Sequence, residues 1–274
     1  MKNRLAIILA PKKYSRSRRL NMDNKAFDYK RIAMGYKNRP FLHGQVMDKL
    51  QEDIGERQYV NGLDVGCGAG LSTKALKLLC KHVTGTDISN EMIEIAREVC
   101  YGADFFTSQA EEIPIPTHQY DIVTAAGVIQ WVEQEAFLKK MQQILEKKGV
   151  LAIYDFCISD KMIGKEAYTE WWHQKYLKNF PKPKRNEHVW TNEEVSKYGF
   201  QMYKQIKFEL TYEFTLSTFI EFMLIQSNVN SKIEGEGQDI NTIREWFGES
   251  LKEIFEGRPQ TLIFEGYSWY IISQ

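Results

Sequence analysis

Apolar and polar residues follow two different rhythms along the chain. From Tyr59 to Phe156, short apolar runs alternate with longer stretches whose apolar residues recur every three to four positions. The short runs are typical of buried strands and the longer stretches of amphipathic helices. Strands are predicted at Asn61–Val65, His82–Asp87, Ala103–Thr107, Tyr120–Ala125 and Val150–Phe156, with helices between them at Leu71–Cys80, Asn90–Val99 and Glu135–Glu146. This alternation predicts a parallel sheet with right-handed crossovers, in which ligands bind at the carboxyl ends of the strands.

The regular alternation stops after Phe156. Residues 159–203 are rich in aromatic and basic side chains and predict helices and loops, with regular structure resuming near residues 191–198. Later elements are predicted as strands at Lys207–Phe214 and Thr261–Ile272, and as helices at Leu216–Ile225 and Ile240–Phe255. A further packing helix is predicted upstream, at Phe41–Ile54, from its apolar spacing.

Composition narrows the classes of function. Lys and Arg number 36 and so do Asp and Glu, so the balanced charge argues against a general nucleic-acid surface. The four cysteines are scattered, which predicts free thiols in a reducing cytoplasm and no metal site. No apolar run reaches the roughly 20 residues that a membrane span needs. Residues 1–21 are predicted to be a basic flexible arm, because their apolar run is short and lysines and arginines follow it at once.

A glycine corner, Gly66, Gly68 and Gly70, follows the first predicted strand. A P-loop is excluded because no Lys-Ser/Thr pair follows the last glycine, and the G-x-G-x-G spacing differs from the G-x-G-x-x-G of dinucleotide folds. Asp87 ends the second strand, where a carboxylate can accept both hydroxyls of a ribose, and this suits a nicotinamide cofactor as well. Asp64 stands before the glycines, where it would repel a pyrophosphate but suits a ligand that carries an ammonium or sulfonium charge.

Four segments in order resemble the motifs of the class I S-adenosylmethionine-dependent methyltransferases, of the type 11 kind. The segments are Leu63–Gly70, Gly85–Ser89, Ser108–Pro114, and Tyr120–Val123 followed by Gln130-Trp131. Arg39-Pro40 and Gln130-Trp131 also resemble the small-molecule subgroup that includes trans-aconitate methyltransferase. The resemblance implies an α/β fold: a Rossmann-like seven-stranded sheet, mostly parallel with an antiparallel last strand, carrying helical cap insertions after strands five and six. Residues 22–158 would form the cofactor-binding domain, and residues 159–274 the substrate cover and the last strands of the same sheet.

The same resemblance implies roles for single residues around S-adenosyl-L-methionine. Asp64 would orient the methionine amino group, directly or through water. Arg39 (with Tyr36 as a further candidate) would lie near the carboxylate, and Asp87 would hold the ribose. The other implied cofactor contacts share positions at strand ends and in the adjoining loops: Gly66, Gly68 and Gly70 near the methionine, Ile88, Met92, Ala110 and Glu111 near the adenine, and Ala125 or Ala126 as a carbonyl beside the methionine.

The methyl acceptor is less defined by the sequence. Methyl transfer from a sulfonium mainly requires alignment and exclusion of water, so no catalytic residue is assigned. Candidates on the acceptor side are Gln130, Trp131 and Tyr154 at strand ends, and His173 as a base. The aromatic residues Trp171, Trp172, Trp190, Phe219, Phe222 and Met223 also suit an apolar acceptor pocket.

The leading hypothesis is a methyltransferase, monomeric or homodimeric, that acts on a small molecule. The stretch after the fourth strand lacks an Asn/Asp-Pro-Pro-aromatic segment, which disfavours amino-methylating DNA and protein enzymes of this fold. Three alternatives stay open: an RNA or protein methyltransferase, a binding protein that has lost catalysis, and a nicotinamide oxidoreductase.

Overall fold

One seven-stranded sheet organises the chain in the computed structural model, which describes residues 35–37, 39–114, 116–182 and 188–274. The predicted basic arm, residues 1–21, lies outside the described residues. The strands are β1 Tyr59–Val65, β2 Cys80–Asp87, β3 Asp104–Thr107, β4 Tyr120–Ala126, β5 Leu145–Met162, β6 Phe200–Phe214 and β7 Gln260–Ser273. Their order is β3-β2-β1-β4-β5-β7-β6, and β7 runs antiparallel to both of its neighbours. The predicted mostly parallel sheet with an antiparallel last strand is confirmed.

Helices fill the connections. Before and between the first five strands they are α1 His43–Ile54, α2 Leu71–Leu76, α3 Asn90–Val99 and α4 Gln134–Ile144. The insertion after β5 contains α5 Glu166–Trp171, a π-helical turn Trp172–Tyr176, α6 Leu177–Asn179 and α7 Asn192–Ser196. The insertion after β6 contains α8 Leu216–Leu224, α9 Ser227–Asn230, a second π-helical turn Ser231–Gly235, and α10 Ile240–Phe255. Helical insertions therefore follow strands five and six, as predicted.

Three predicted boundaries were wrong by several residues, and one of them is the start of β6, which lies at Phe200 and not at Lys207. The helix after the glycine corner ends at Leu76 and not at Cys80, because the carbonyl of Leu79 accepts a hydrogen bond from the Tyr59 backbone N–H and the chain turns there into β2. Strand β5 begins before the predicted Val150 and runs on to Met162, where it still pairs with Leu262 of β7. Pairing with the long strand β7, and not the local apolar pattern, sets the length of β5.

The two faces of the sheet bury separate apolar clusters. One face packs α4 through Phe137, Leu138 and Met141 against β1, β4 and β5. The other face packs α1, α2 and the inserted helices, whose aromatic side chains fill the space above the extended ends of β5, β6 and β7. No helix in the described ranges is both long enough and apolar enough to cross a membrane.

Candidate active site

A cavity of about 400 Å³ lies at the carboxyl ends of the parallel strands. Its walls come from the glycine corner after β1, the ends of β2, β4 and β5, the loop after β3, the start of α1, and residues of α8, α9 and β7. Open parallel sheets bind their ligands at this edge, beside the point where the strand order reverses. Here the order reverses between β1 and β4, and the glycine corner stands at that point.

The three glycines of the corner have different structural roles. All have a positive φ, of 66° at Gly66, 50° at Gly68 and 87° at Gly70, which favours glycine at each position. A Cβ on Gly66 would lie 2.3 Å from the Val128 side chain, and one on Gly70 would lie 2.9 Å from the Cα of Ala96 in α3. A Cβ on Gly68 would meet no atom within 4 Å and would project into open space. Gly66 and Gly68 line the cavity, whereas Gly70 does not and serves helix packing.

The carboxylate of Asp87 joins the glycine corner to the end of β2. Its Oδ2 accepts a hydrogen bond of 2.9 Å from the Gly68 backbone N–H, and its Oδ1 accepts one of 2.9 Å from the Ser89 N–H. Both bonds fix the carboxylate at the cavity wall, beside Ile88 and Met92. Ser89 in turn caps α3, because its Oγ accepts a hydrogen bond from Met92 N–H at 3.3 Å.

The loop after β3 closes the same end of the cavity. Ala110 and Glu111 both line it, next to Ser108 and Gln109. Glu111 Oε1 accepts a hydrogen bond of 2.7 Å from the Glu133 backbone N–H, which ties this loop to the segment before α4. The residues predicted to contact adenine, Ala110 and Glu111 among them, therefore line the same end of the cavity as Asp87.

Asp64 does not line the cavity, so it is not placed to contact a ligand there directly. It is fully buried, and its carboxylate accepts hydrogen bonds from the hydroxyls of Ser72 (2.6 Å), Thr73 (2.7 Å) and Thr124 (2.8 Å). Ser72 does line the cavity, so Asp64 reaches the site through it. Burial raises the pKa of the Asp64 carboxyl from its usual 3.8 to about 6, although the three hydroxyl donors pull the pKa down.

We expect the Asp64 carboxyl to titrate near pH 6 in the folded protein. Since the folded protein then holds this proton more tightly than the unfolded chain, the contribution of Asp64 to the free energy of unfolding falls as pH rises from about 4 to 6. Carbon-13 NMR of the side-chain carboxyls would follow the titration, and the Asp64→Asn variant would assign the resonance. A midpoint near pH 4 would contradict this expectation and show that the hydroxyl donors offset the effect of burial.

Arg39 stands at the other side of the glycine corner. Its guanidinium stacks on the Tyr36 ring, 3.6 Å from the ring centroid, and both residues line the cavity. Its Nε is buried and has no hydrogen-bond partner among the described residues. A buried guanidinium nitrogen without a partner is costly, so the site is suited to an anionic group that would accept its hydrogen bond.

The ends of β4 and β5 carry two polar pairs. Tyr154 Oη and His43 Nδ1 are 2.9 Å apart, and Gln130 Nε2 donates a hydrogen bond of 3.2 Å to Asp155 Oδ2. Burial, with a smaller effect from Arg39, lowers the pKa of His43 to about 3, and burial raises the pKa of Tyr154 well above its usual range. The His43–Tyr154 pair is therefore neutral at physiological pH.

The predicted acceptor residues divide into two groups. Gln130, Trp131 and Tyr154 line the cavity, and Trp131 is 41% exposed at its rim. His173 lies outside it and forms a 2.7 Å pair with Asp160, so it is not placed to act as a base on a ligand in the cavity.

Most of the aromatic residues expected in the acceptor pocket pack elsewhere. Phe222 lines the cavity, but Trp171, Trp172, Phe219 and Met223 belong to the core of the inserted helices, and Trp190 packs under the opposite face of the sheet. Of the predicted backbone contacts at the end of β4, Ala126 lines the cavity and Ala125 is buried behind it.

Several cavity residues were not predicted from the sequence, namely Leu42, His43, Asp155, Phe156 and Phe264. The position of Asp155 next to Tyr154, at the carboxyl end of a parallel strand, is a signal that could have found it. No comparable signal marks His43, because it faces the cavity only through the packing of α1.

Comparisons with known proteins agree with this geometry. Residues 63–153 match the family model described as a methyltransferase domain. The malonyl-[acyl-carrier protein] O-methyltransferase of Serratia marcescens is 29% identical over 111 residues, which cover 37% of this chain and 44% of the relative. The demethylmenaquinone methyltransferase of Thermotoga maritima is 29% identical over 96 residues, covering 34% and 42%. The chain spans less than half the length of these curated relatives.

A solved structure extends the likeness beyond the matched segment. A protein from Anaeromyxobacter dehalogenans, described as a type II methyltransferase, superposes with a TM-score of 0.65 at 17% identity, over 84% of this chain and 95% of that one. At this identity the superposition shows the fold alone. The sheet order and this superposition thus show a shared fold, and residues 63–153, which include the glycine corner, match a methyltransferase domain.

Proposed function

We propose that the protein transfers the methyl group of S-adenosyl-L-methionine to a small organic acceptor. The observation that carries the proposal is one cavity that joins Gly68, Asp87 and Glu111 at one end to Tyr154 and Asp155 at the other. The sheet places β2 and β5 three strand spacings apart, so these ends are separated by about 14 Å. A nucleoside at the first end would thus leave room for a second molecule.

The residues present fit this cofactor. The open space over Gly68 admits a ligand against the backbone, and the Asp87 carboxylate beside it suits ribose hydroxyls. The buried Arg39 Nε would donate to the carboxylate of the methionine moiety. When bound, S-adenosyl-L-methionine supplies a methyl carbon activated by an adjacent sulfonium. The residues of the chain then hold and align the two reactants.

The inserted helices support a small acceptor. Phe222, Gln226 and Ser227 from the α8–α9 region and Phe264 from β7 line the cavity together with residues of β4 and β5. A cover of this kind excludes water and surrounds a small molecule, whereas a folded RNA or protein would need an open approach to the same point. The neutral His43–Tyr154 pair can orient a polar group of the acceptor, but His43, with its pKa of about 3, is a poor general base near neutral pH.

Titration calorimetry with S-adenosylmethionine, S-adenosylhomocysteine and NADH tests the cofactor. We expect saturable binding of the first two and none of NADH, and binding of NADH alone would overturn the proposal. A screen with radiolabelled S-adenosylmethionine against small-molecule extract, RNA and protein tests the acceptor. Label that enters only RNA or protein would contradict a small acceptor, and binding without any transfer would contradict catalysis.

The proposed contact of Arg39 gives a selective prediction. Arg39→Met should weaken S-adenosylhomocysteine binding about tenfold, the effect of losing one charge-assisted hydrogen bond. Binding of 5′-methylthioadenosine, which lacks the amino-acid portion, should not change. Calorimetry on both ligands measures the difference, and Arg57→Met, at a residue outside the cavity, is the matched control. An equal loss for both ligands would place Arg39 near the adenosine or in the fold and not at the carboxylate.

A further inference from the structure

The charged side chains of the cavity are unevenly distributed. Asp87 and Glu111 stand at the end where the proposed function places adenosine, and Arg39 stands beside the glycine corner. The remaining carboxylate, Asp155, lies in β5 one residue beyond its last pair with β4, within 3.3 Å of a Cβ built on Gly127 and hydrogen-bonded to Gln130. Among the residues that the structure describes, Arg39 is the only Lys or Arg that lines the cavity.

An anionic acceptor would have no cation at this end. The proposed function assigns Arg39 to the cofactor, and His43, whose pKa is lowered to about 3, carries no charge at neutral pH. A carboxylate acceptor at this end would be repelled by Asp155, which carries a charge of the same sign. This disfavours substrates of the trans-aconitate kind, which carry several carboxylates.

Aromatic rings from β5, α8 and β7 line the same cavity as Asp155, and two of them, Tyr154 and Phe156, flank it in the sequence of β5. Phe156 packs against Tyr154 with centroids 6.5 Å apart and against Phe264 at 6.4 Å, and Phe264 contacts Phe222 at 5.7 Å. All four line the cavity. Aromatic faces bind apolar bodies and also stabilise cations through their quadrupoles, so these rings and one carboxylate together suit a positively charged group on an apolar body.

We propose that the methyl acceptor is an amine with an apolar, preferably aromatic, body, and that Asp155 binds its nitrogen while the Phe156, Phe222 and Phe264 rings enclose the body. This inference rests on the proposed function and narrows it to a substrate class. An amine is also consistent with a cavity in which the His43–Tyr154 pair stays neutral, since an amine nitrogen needs no strong base once it has released its proton to water.

The reaction balances with these partners. The ammonium first loses one proton to bulk water, and the lone pair of the neutral nitrogen then forms a bond to the methyl carbon. The bond from that carbon to sulfur breaks, and its electron pair remains on sulfur, so S-adenosylhomocysteine and a methylated ammonium result. Asp155 offsets the positive charge that appears on the nitrogen.

Three probes with the same body test the substrate class: phenethylamine, 2-phenylethanol and 3-phenylpropionate. Calorimetry on the protein saturated with S-adenosylhomocysteine should give binding at least about tenfold tighter for the amine than for the alcohol, because the amine adds a charge-assisted hydrogen bond. The carboxylate should bind most weakly, because Asp155 repels it. Amine binding no tighter than alcohol binding, or preference for the carboxylate, would overturn the inference without any variant.

Asp155→Asn should lower phenethylamine affinity about tenfold and leave 2-phenylethanol and S-adenosylhomocysteine affinities unchanged. Asp48→Asn, at an exposed position of α1, is the matched control and should alter none of the three. Unchanged amine affinity in Asp155→Asn would contradict the inference. S-adenosylhomocysteine binding is measured first: its absence refutes the proposed function, whereas its presence without amine preference refutes only the substrate class.

Discussion

Asp87→Ala should weaken binding of S-adenosylmethionine and S-adenosylhomocysteine by about 10- to 100-fold. The carboxylate is expected to accept hydrogen bonds from the ribose hydroxyls, and the expected range corresponds to a net loss of one bond to a charged group, about 1.5–3 kcal/mol. The same carboxylate accepts the Gly68 and Ser89 N–H groups, so its loss also releases the glycine corner from the end of β2. Calorimetry or equilibrium dialysis with S-adenosylhomocysteine measures the loss.

Two comparisons separate recognition from a general loss of structure. Asp104→Ala, at an exposed carboxylate where β3 begins, should leave affinity unchanged. Asp87→Asn keeps one oxygen acceptor and should fall between wild type and Asp87→Ala. In contrast with Arg39→Met, Asp87→Ala should weaken 5′-methylthioadenosine as well, because that ligand keeps the ribose. Wild-type affinity in Asp87→Ala would refute the ribose contact.

The strands and the glycine corner could be predicted because short-range chemistry determines them. The period of apolar residues identifies β1 to β5, and a glycine at positive φ followed by a helix marks the corner at Gly66 and Gly68. Asp87 was found because it ends a strand at the edge where ligands bind. Asp64 shows what the sequence left open, since a role at the ligand either directly or through water was predicted and three buried hydroxyl donors hold the carboxylate behind the cavity wall.

The acceptor side could not be predicted in the same way because it depends on how distant elements pack. His43 and Tyr154 are 111 positions apart and meet only because α1 lies across the end of β5. Among the inserted aromatics, composition could not distinguish Phe222, which lines the cavity, from Phe219, which is fully buried one helical turn earlier in α8. The face that a short apolar helix turns toward a cavity is decided by its neighbours and not by its own pattern.

Gly70→Ala should destabilise the protein by about 2–5 kcal/mol, the sum of a left-handed backbone without glycine and an overpacked contact. The left-handed φ is 87°, and the contact lies 2.9 Å from the Ala96 Cα, a backbone atom that cannot rotate aside. Because Gly70 does not line the cavity, cofactor affinity measured well below the unfolding transition should change little. Urea unfolding, with the midpoint and slope fitted together, measures the stability change.

Gly68→Ala is the matched comparison, because its φ of 50° imposes a backbone cost but its Cβ would project into open space. We expect it to cost about 1–2 kcal/mol of stability. The added methyl group should lower S-adenosylhomocysteine affinity at least about tenfold, because it occupies the space through which the methionine moiety approaches the backbone. Gly70→Ala should thus mainly lower the free energy of unfolding, whereas Gly68→Ala, two positions away, should mainly lower cofactor affinity. Binding of S-adenosylhomocysteine to Gly68→Ala with wild-type affinity would contradict the proposal that the methionine moiety lies against the backbone at Gly68.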